Sequence, residues 1–257
     1  MTGPHEPVNA QSDRWVISST AKVREQGDEM YKTTKTMLSL ATVMVAMPML
    51  IVAAVGATSA SAALPEFVNS KGPLGSGTKV SFKSTGGEGH LTTAGGTEVK
   101  CKSSVATGEI EGPNMIKKTV VTYKECESSG FSCESEIGSG TIVTASIQGL
   151  LVYLKKSKGL PAGVHLEPES GSEFAKFSCF LVSATVTGHL IGEVPAAATN
   201  KLSTTGELVF KATSAGKQRW TKIEEGSEEH HLTALSEPAA LEVTETLTFK
   251  EAIEVKA

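Results

Sequence analysis

The sequence predicts an all-β chain: an antiparallel β-sandwich or barrel of roughly a dozen short strands, preceded by a signal-peptide helix. Three observations carry that expectation. No long run at the helical period of 3.6 occurs between Ala63 and Ala257. Apolar residues in that region instead recur at every second position, in stretches punctuated by Gly and Ser, which is the signature of half-buried strands between turns. The long uncharged apolar run falls earlier, between Leu38 and Val55.

The N-terminal segments come first. Met1 to Glu29 is polar, mixes charges of both signs and has no apolar period, so it reads as a disordered extension. Met30 opens a second reading of the start, Met30-Tyr31-Lys32-Thr33-Thr34-Lys35, which has the cationic beginning of a secretory signal. The apolar run follows and closes on Ala60-Ser61-Ala62, an Ala-x-Ala site, so residues 30–62 are read as a signal peptide cleaved between Ala62 and Ala63. The alternative is a retained anchor, because the 18 uncharged residues from Leu38 to Val55 just suffice to span a bilayer. Pro48 and Gly56 argue against it. Residues 63–257 then form one exported all-β domain, long enough to bury a core of its own.

Its elements follow in order. Ala63 to Gly77 is a Pro/Gly/Ser leader with Leu64 and Phe67 as its apolar cluster. Thr78 to Thr85 alternates Val80 and Phe82 against Ser81 and Lys83. Gly86-Gly87 and Gly95-Gly96 bracket the short strand His90-Leu91-Thr92-Thr93. Thr97 to Ser103 turns Val99 and Cys101 inward, and strands Ala106 to Glu111 and Lys118 to Glu125 join across Gly112-Pro113-Asn114. Gly140 to Ile147, Leu150 to Leu154 and Gly163 to Glu167 continue the pattern, with a charged turn from Lys155 to Gly159. Glu173 to Ile191 is the richest β stretch. Gly206 to Thr213 and Gln218-Arg219-Trp220 precede the acidic run Glu224 to Glu229, and Leu241, Val243, Leu247, Phe249, Ile253 and Val255 close the chain.

Composition removes several function classes. Residues 63–257 carry 19 Lys and Arg against 23 Glu, with no basic stripe, so nucleic acid is not an expected partner. Arg219 is the sole arginine there and aspartate is absent, which excludes an EF-hand loop and any Asp-oriented triad. Glu remains as the acid, base or carboxylate ligand. No cofactor motif is present. Membrane contact is expected only through an uncleaved signal segment, and a partner, if any, in the cell envelope or outside it.

The four cysteines, Cys101, Cys126, Cys133 and Cys179, all lie in the exported part and read as two disulfides. A zinc site would need two closely spaced ligand pairs, which this spacing lacks. The preferred pairing is Cys126–Cys133, closing the Ser/Gly-rich loop, with Cys101–Cys179 tying distant strands. The rival is Cys101–Cys126, across a hairpin pivoting near Pro113-Asn114.

The order Thr97-Glu98-Val99-Lys100-Cys101, Thr107-Gly108-Glu109-Ile110, Tyr123-Lys124-Glu125-Cys126, Phe174-Ala175-Lys176-Phe177-Ser178-Cys179 and Val186-Thr187-Gly188-His189-Leu190-Ile191-Gly192 resembles exported, uncharacterised β-rich proteins of soil actinobacteria. The resemblance covers most of residues 63–257. It implies export and a β fold, and no activity or site.

Three chemistries could draw on the side chains of residues 63–257. A hydrolase would need a Ser-His-Glu arrangement among abundant serines and the histidines His90, His165, His189, His230 and His231, but no Gly-x-Ser-x-Gly elbow occurs. For metal, Glu228, His230 and His231 offer oxygen and nitrogen ligands at the end of the acidic run. Adjacent His230 and His231 point to opposite sides of any strand, so a solvated loop is the simpler reading; His165 and His189 read as ordinary strand residues. For binding, Trp220 beside Arg219 is the candidate stacking platform, against a Trp that covers one end of the core. The resulting expectation is an exported, disulfide-stabilised, non-catalytic domain acting at or outside the cell surface, with a small-molecule or glycan-binding barrel second and a secreted hydrolase third.

Overall fold

The computed structural model describes residues 63–154, 161–224 and 226–257. The N-terminal extension, the signal helix with Ala60 and Ala62, and the charged turn at 155–159 lie outside the described residues.

The described chain is all-β. In order the strands are β1 Glu66–Asn69, β2 Gly72–Pro73, β3 Lys79–Gly86, β4 Gly89–Thr93, β5 Glu98–Glu111, β6 Met115–Ser128, β7 Phe131–Glu134 and β8 Thr141–Val143. They continue with β9 Ile147–Tyr153, β10 Ala162–Pro168, β11 Glu173–Cys179, β12 Val182–Gly188, β13 Leu190–Glu193, β14 Ser203–Phe210, β15 Leu232–Ala234 and β16 Glu237–Lys256. The pairings build one large antiparallel sheet ordered β14-β13-β10-β9-β6-β7-β11-β12-β15-β16-β3-β5-β4, with further pairings β14–β16, β6–β5 and β16–β4. The long strands β5, β6 and β16 each pair with different partners along their length.

Period-two alternation explains most of this. β3 buries Val80, Phe82 and Ser84 and exposes the residues between them. β5 buries Val99 and Cys101, then Ser104, Ala106, Gly108 and Ile110. The inward set therefore changes from odd to even numbers between Cys101 and Ser104. That change makes one continuous strand look like two in the sequence. Conversely, Glu173 to Ile191 looks continuous yet is cut into β11, β12 and β13 by turns at Phe180-Leu181 and at Gly188-His189. The expected Gln218-Arg219-Trp220 strand is not formed; only single bridges, Ala212 to Gln218 and Leu154 to Ile223, occur there.

Both disulfides form, but not in the preferred pairing: the bonds are Cys101–Cys126 and Cys133–Cys179. The reason is register. Cys101 lies opposite Cys126, Cys126 opposite Cys133, and Cys133 opposite Cys179, so the four make one row across β5, β6, β7 and β11. Bridging the middle pair would leave Cys101 and Cys179 three strand spacings apart, about 14 Å, beyond the reach of about 7 Å for a disulfide. The observed pairing is the one by which neighbours satisfy all four.

Candidate metal centre

The site is built on the outer side of β10. Val164 and Leu166 turn into the core, so alternation places His165 and Glu167 on the other face. There His165 lies between Leu150 of β9 and Ile191 of β13, and Glu167 opposite Gln148. The segment between β14 and β15 folds over this face. Trp220 and Ile223 pack on Val152, Leu154, Ile191 and Leu150 as a small second core. The Ile223–Leu154 bridge and the Glu224 amide, which donates to the Tyr153 carbonyl at 2.9 Å, pin it there. The Gln218 amide side chain ties the same segment to the backbone of Lys211 and Leu241.

This cover delivers His230. Its backbone N–H donates to the Thr221 carbonyl at 2.7 Å, and the next carbonyl, of His231, accepts from the His189 N–H at 2.9 Å. The close approach depends on Gly188. Its φ is +102°, and a Cβ there would stand 2.1 Å from the His231 oxygen. A side chain at position 188 would push the covering segment away from His189.

Three imidazoles thus converge from β10, the β12–β13 turn and the covering segment. Ring centroids lie 4.2 Å apart for His165 and His230, 5.1 Å for His165 and His189, and 5.4 Å for His189 and His230. One nitrogen from each ring falls within 4.8 Å of the others. His165 Nε2 and His189 Nδ1 are buried with no hydrogen-bond partner, although the rest of the His189 ring reaches solvent. An orphaned buried nitrogen costs about 1–3 kcal/mol, so two in one cluster ask for a common partner.

Burial also governs the charge of the rings. Burial, followed by the His230 and His189 rings, lowers the pKa of His165 to about 4, against a weaker opposing pull from Glu167. Burial and then His189 also lower that of His230. Both rings are therefore neutral near pH 7, with lone pairs available and no proton to displace. Neutral imidazoles are the usual ligands of zinc, copper and nickel. Nitrogens around a tetrahedral zinc stand about 3.4 Å apart, given Zn–N bonds of about 2.0–2.1 Å, so rotamer shifts of about 1 Å would close the set. Glu167 places a carboxylate beside the cluster. One of its oxygens accepts from Gln148 Nε2 at 2.8 Å, and the other stands 3.7 Å from His189 Nδ1, beyond hydrogen-bond reach.

The sequence candidates divide accordingly. His230 belongs to the cluster. His231 does not: its Nε2 lies 3.2 Å from Glu229, which also pairs with Lys222 at 2.8 Å. Glu228 reaches His230 only through its charge. His165 and His189, read as ordinary strand residues, are the ones brought to His230. Sequence reasoning missed them because 24 residues and two turns separate the pair, while the β10–β13 register sets His165 against Ile191, two residues beyond His189. Trp220 is half-buried in the second core, donates from Nε1 to Glu193 at 3.0 Å, and carries the Arg219 guanidinium 5.7 Å from its ring centroid. Among the described residues no serine hydroxyl is hydrogen-bonded to a histidine.

Comparison with family models, curated proteins and solved structures finds no match.

Proposed function

We propose that this chain is an exported, disulfide-stabilised β domain that binds a first-row transition ion, zinc(II) in the first place, through His165, His189 and His230, and acts at or outside the cell surface by binding rather than catalysis. The observation that carries the metal reading is the pair of buried nitrogens without a hydrogen bond, His165 Nε2 and His189 Nδ1, within 4.8 Å of a nitrogen of His230. Two disulfides support an oxidising compartment, and the signal-like run before Ala63 supports export. The sheet is read as a closed barrel, because β14 pairs with β16 as well as β13, and β5 and β6 pair with each other.

Isothermal titration of the disulfide-intact, chelator-stripped protein with zinc tests the reading. One equivalent should bind. His165→Ala, His189→Ala and His230→Ala should each weaken binding by at least about tenfold, and Glu167→Gln should weaken it less, through the loss of a carboxylate charge beside the site. His231→Ala, one residue away, should leave the affinity unchanged. Equal losses from His230→Ala and His231→Ala would place binding on the exposed loop and overturn the site.

A further inference from the structure

A second site lies inside the molecule. β16 alternates Val243, Glu245 and Leu247 toward the interior, so a carboxylate occupies a position the pattern reserves for an apolar side chain. Glu245 is 7% exposed. Its carboxylate accepts hydrogen bonds from Ser84 Oγ at 2.5 Å and from Ser104 Oγ. The fold makes room for it: a Cβ on Gly86, opposite Glu245 in the β3–β16 register, would stand 2.6 Å from the carboxylate and 2.2 Å from Ser104 Oγ. A residue that breaks the local pattern, with a glycine and two serines arranged around it, marks a functional position rather than an accident of packing.

The carboxylate lines an interior cavity of about 130 Å³. Elsewhere the wall is mainly hydrocarbon, including Leu91, Val121, Ile142, Leu166 and Phe177. Tyr123 also lines it; burial and then the Glu245 charge raise the phenol's pKa, so it keeps its proton. Among the described residues no Lys, Arg or His pairs with Glu245. Two serine hydroxyls satisfy half of the roughly four acceptor positions of a carboxylate and none of its charge. A carboxylate with open acceptor positions in an apolar wall can take donors from an ammonium group, and a cavity of about 150 Å³ lined by apolar side chains holds one benzene-sized ring.

We propose that this cavity binds a small apolar amine, with its ammonium on Glu245 and its hydrocarbon body against the surrounding side chains. The site is separate from the histidine cluster, which lies on the outer face of β10 and shares no residue with it. The opposing wall at Leu166 faces the cavity while His165 and Glu167 face away.

Methyl-detected NMR titration of the wild-type protein with benzylamine, toluene and benzoate tests the proposal, reading shifts at cavity methyls such as those of Leu166 and Val121. Benzylamine should bind at least tenfold more tightly than toluene, and benzoate more weakly than either. Glu245→Gln should erase the preference for the amine while keeping toluene binding. The wild-type rank order stands as a test even if that variant does not fold. Toluene binding as tightly as benzylamine, benzoate binding best, shifts confined to surface residues, or a preference that survives Glu245→Gln would each overturn the proposal.

Discussion

His90 shows how sharply environment separates residues of one type. Glu98 Oε1 lies 2.8 Å from its Nδ1 and Glu88 Oε1 2.8 Å from its Nε2. The bond to Glu98 raises its pKa above 6.5, and that to Glu88 adds to this against a lowering by partial burial. His165, with no hydrogen-bond partner on Nε2, is displaced the other way by burial. The two shifts have opposite consequences for function. His90 carries a proton to higher pH and is a surface charge partner, whereas His165 gives its proton up and is free to ligate. Because the His90 pKa is raised on folding, its contribution to stability is present below 6.5 and is lost as pH rises through the folded value. An NMR titration of the His90 ring should therefore show a midpoint above 6.5, and Glu98→Gln should return it toward 6.5. A wild-type midpoint at or below 6.5 would contradict the pairing. Glycine matters at this scale mainly at Gly188 and Gly86. One admits the segment that carries His230, and the other the carboxylate in the cavity.

At the scale of elements, what was legible was periodicity and what was hidden was change of parity and register. β3 and β10 follow a single alternation, β4 lies between its glycine turns, and all three stand close to where the sequence places them. β5 looks like two strands because its inward residues change parity after Cys101, and β11 to β13 look like one because the first turn, Phe180-Leu181, is itself apolar and the second is only Gly188-His189. The first of those turns is chemically unusual. Phe180 occupies the leading position of a two-residue connection between Cys179 and Val182 with φ +57°, where glycine is the ordinary choice in a turn of this kind. A bulky residue at positive φ is strained by about 1–3 kcal/mol. Its ring is 69% exposed and stacks on Phe131 at 4.9 Å, which recovers part of that cost. Phe180→Gly should therefore stabilise the domain by about 1 kcal/mol in chemical denaturation. A loss of stability would show that the Phe131–Phe180 stack outweighs the backbone strain. The histidine site escaped the sequence for a related reason. Its three histidines sit on three elements whose register no local pattern encodes, and the adjacency of His230 and His231 does not say which strand residues face His230.

At the scale of the whole molecule, the row of four cysteines crosses four strands, and each of the two long-range bonds constrains the unfolded chain more than a bond closing a short loop would. With sequence separations of 25 and 46 residues, they contribute about 3.5 and about 4 kcal/mol in the chain-entropy account. Digestion without reduction should yield one linked peptide pair containing Cys101 and Cys126 and another containing Cys133 and Cys179, and reduction should lower the denaturation midpoint markedly. A Cys126–Cys133 link would contradict the register. This scaffold holds β9, β10 and β13 in place, the second core of Trp220 and Ile223 seats the covering segment on them, and that segment sets His230 against His165 and His189. The central claim is that this convergence is a metal site. The most direct measurement is a crystal structure of the zinc-loaded protein with anomalous data at the zinc edge. The account predicts one ordered zinc bonded to nitrogens of His165, His189 and His230 at about 2.0–2.1 Å. Anomalous density only at Glu229 and His231, or none at saturating zinc, would contradict it.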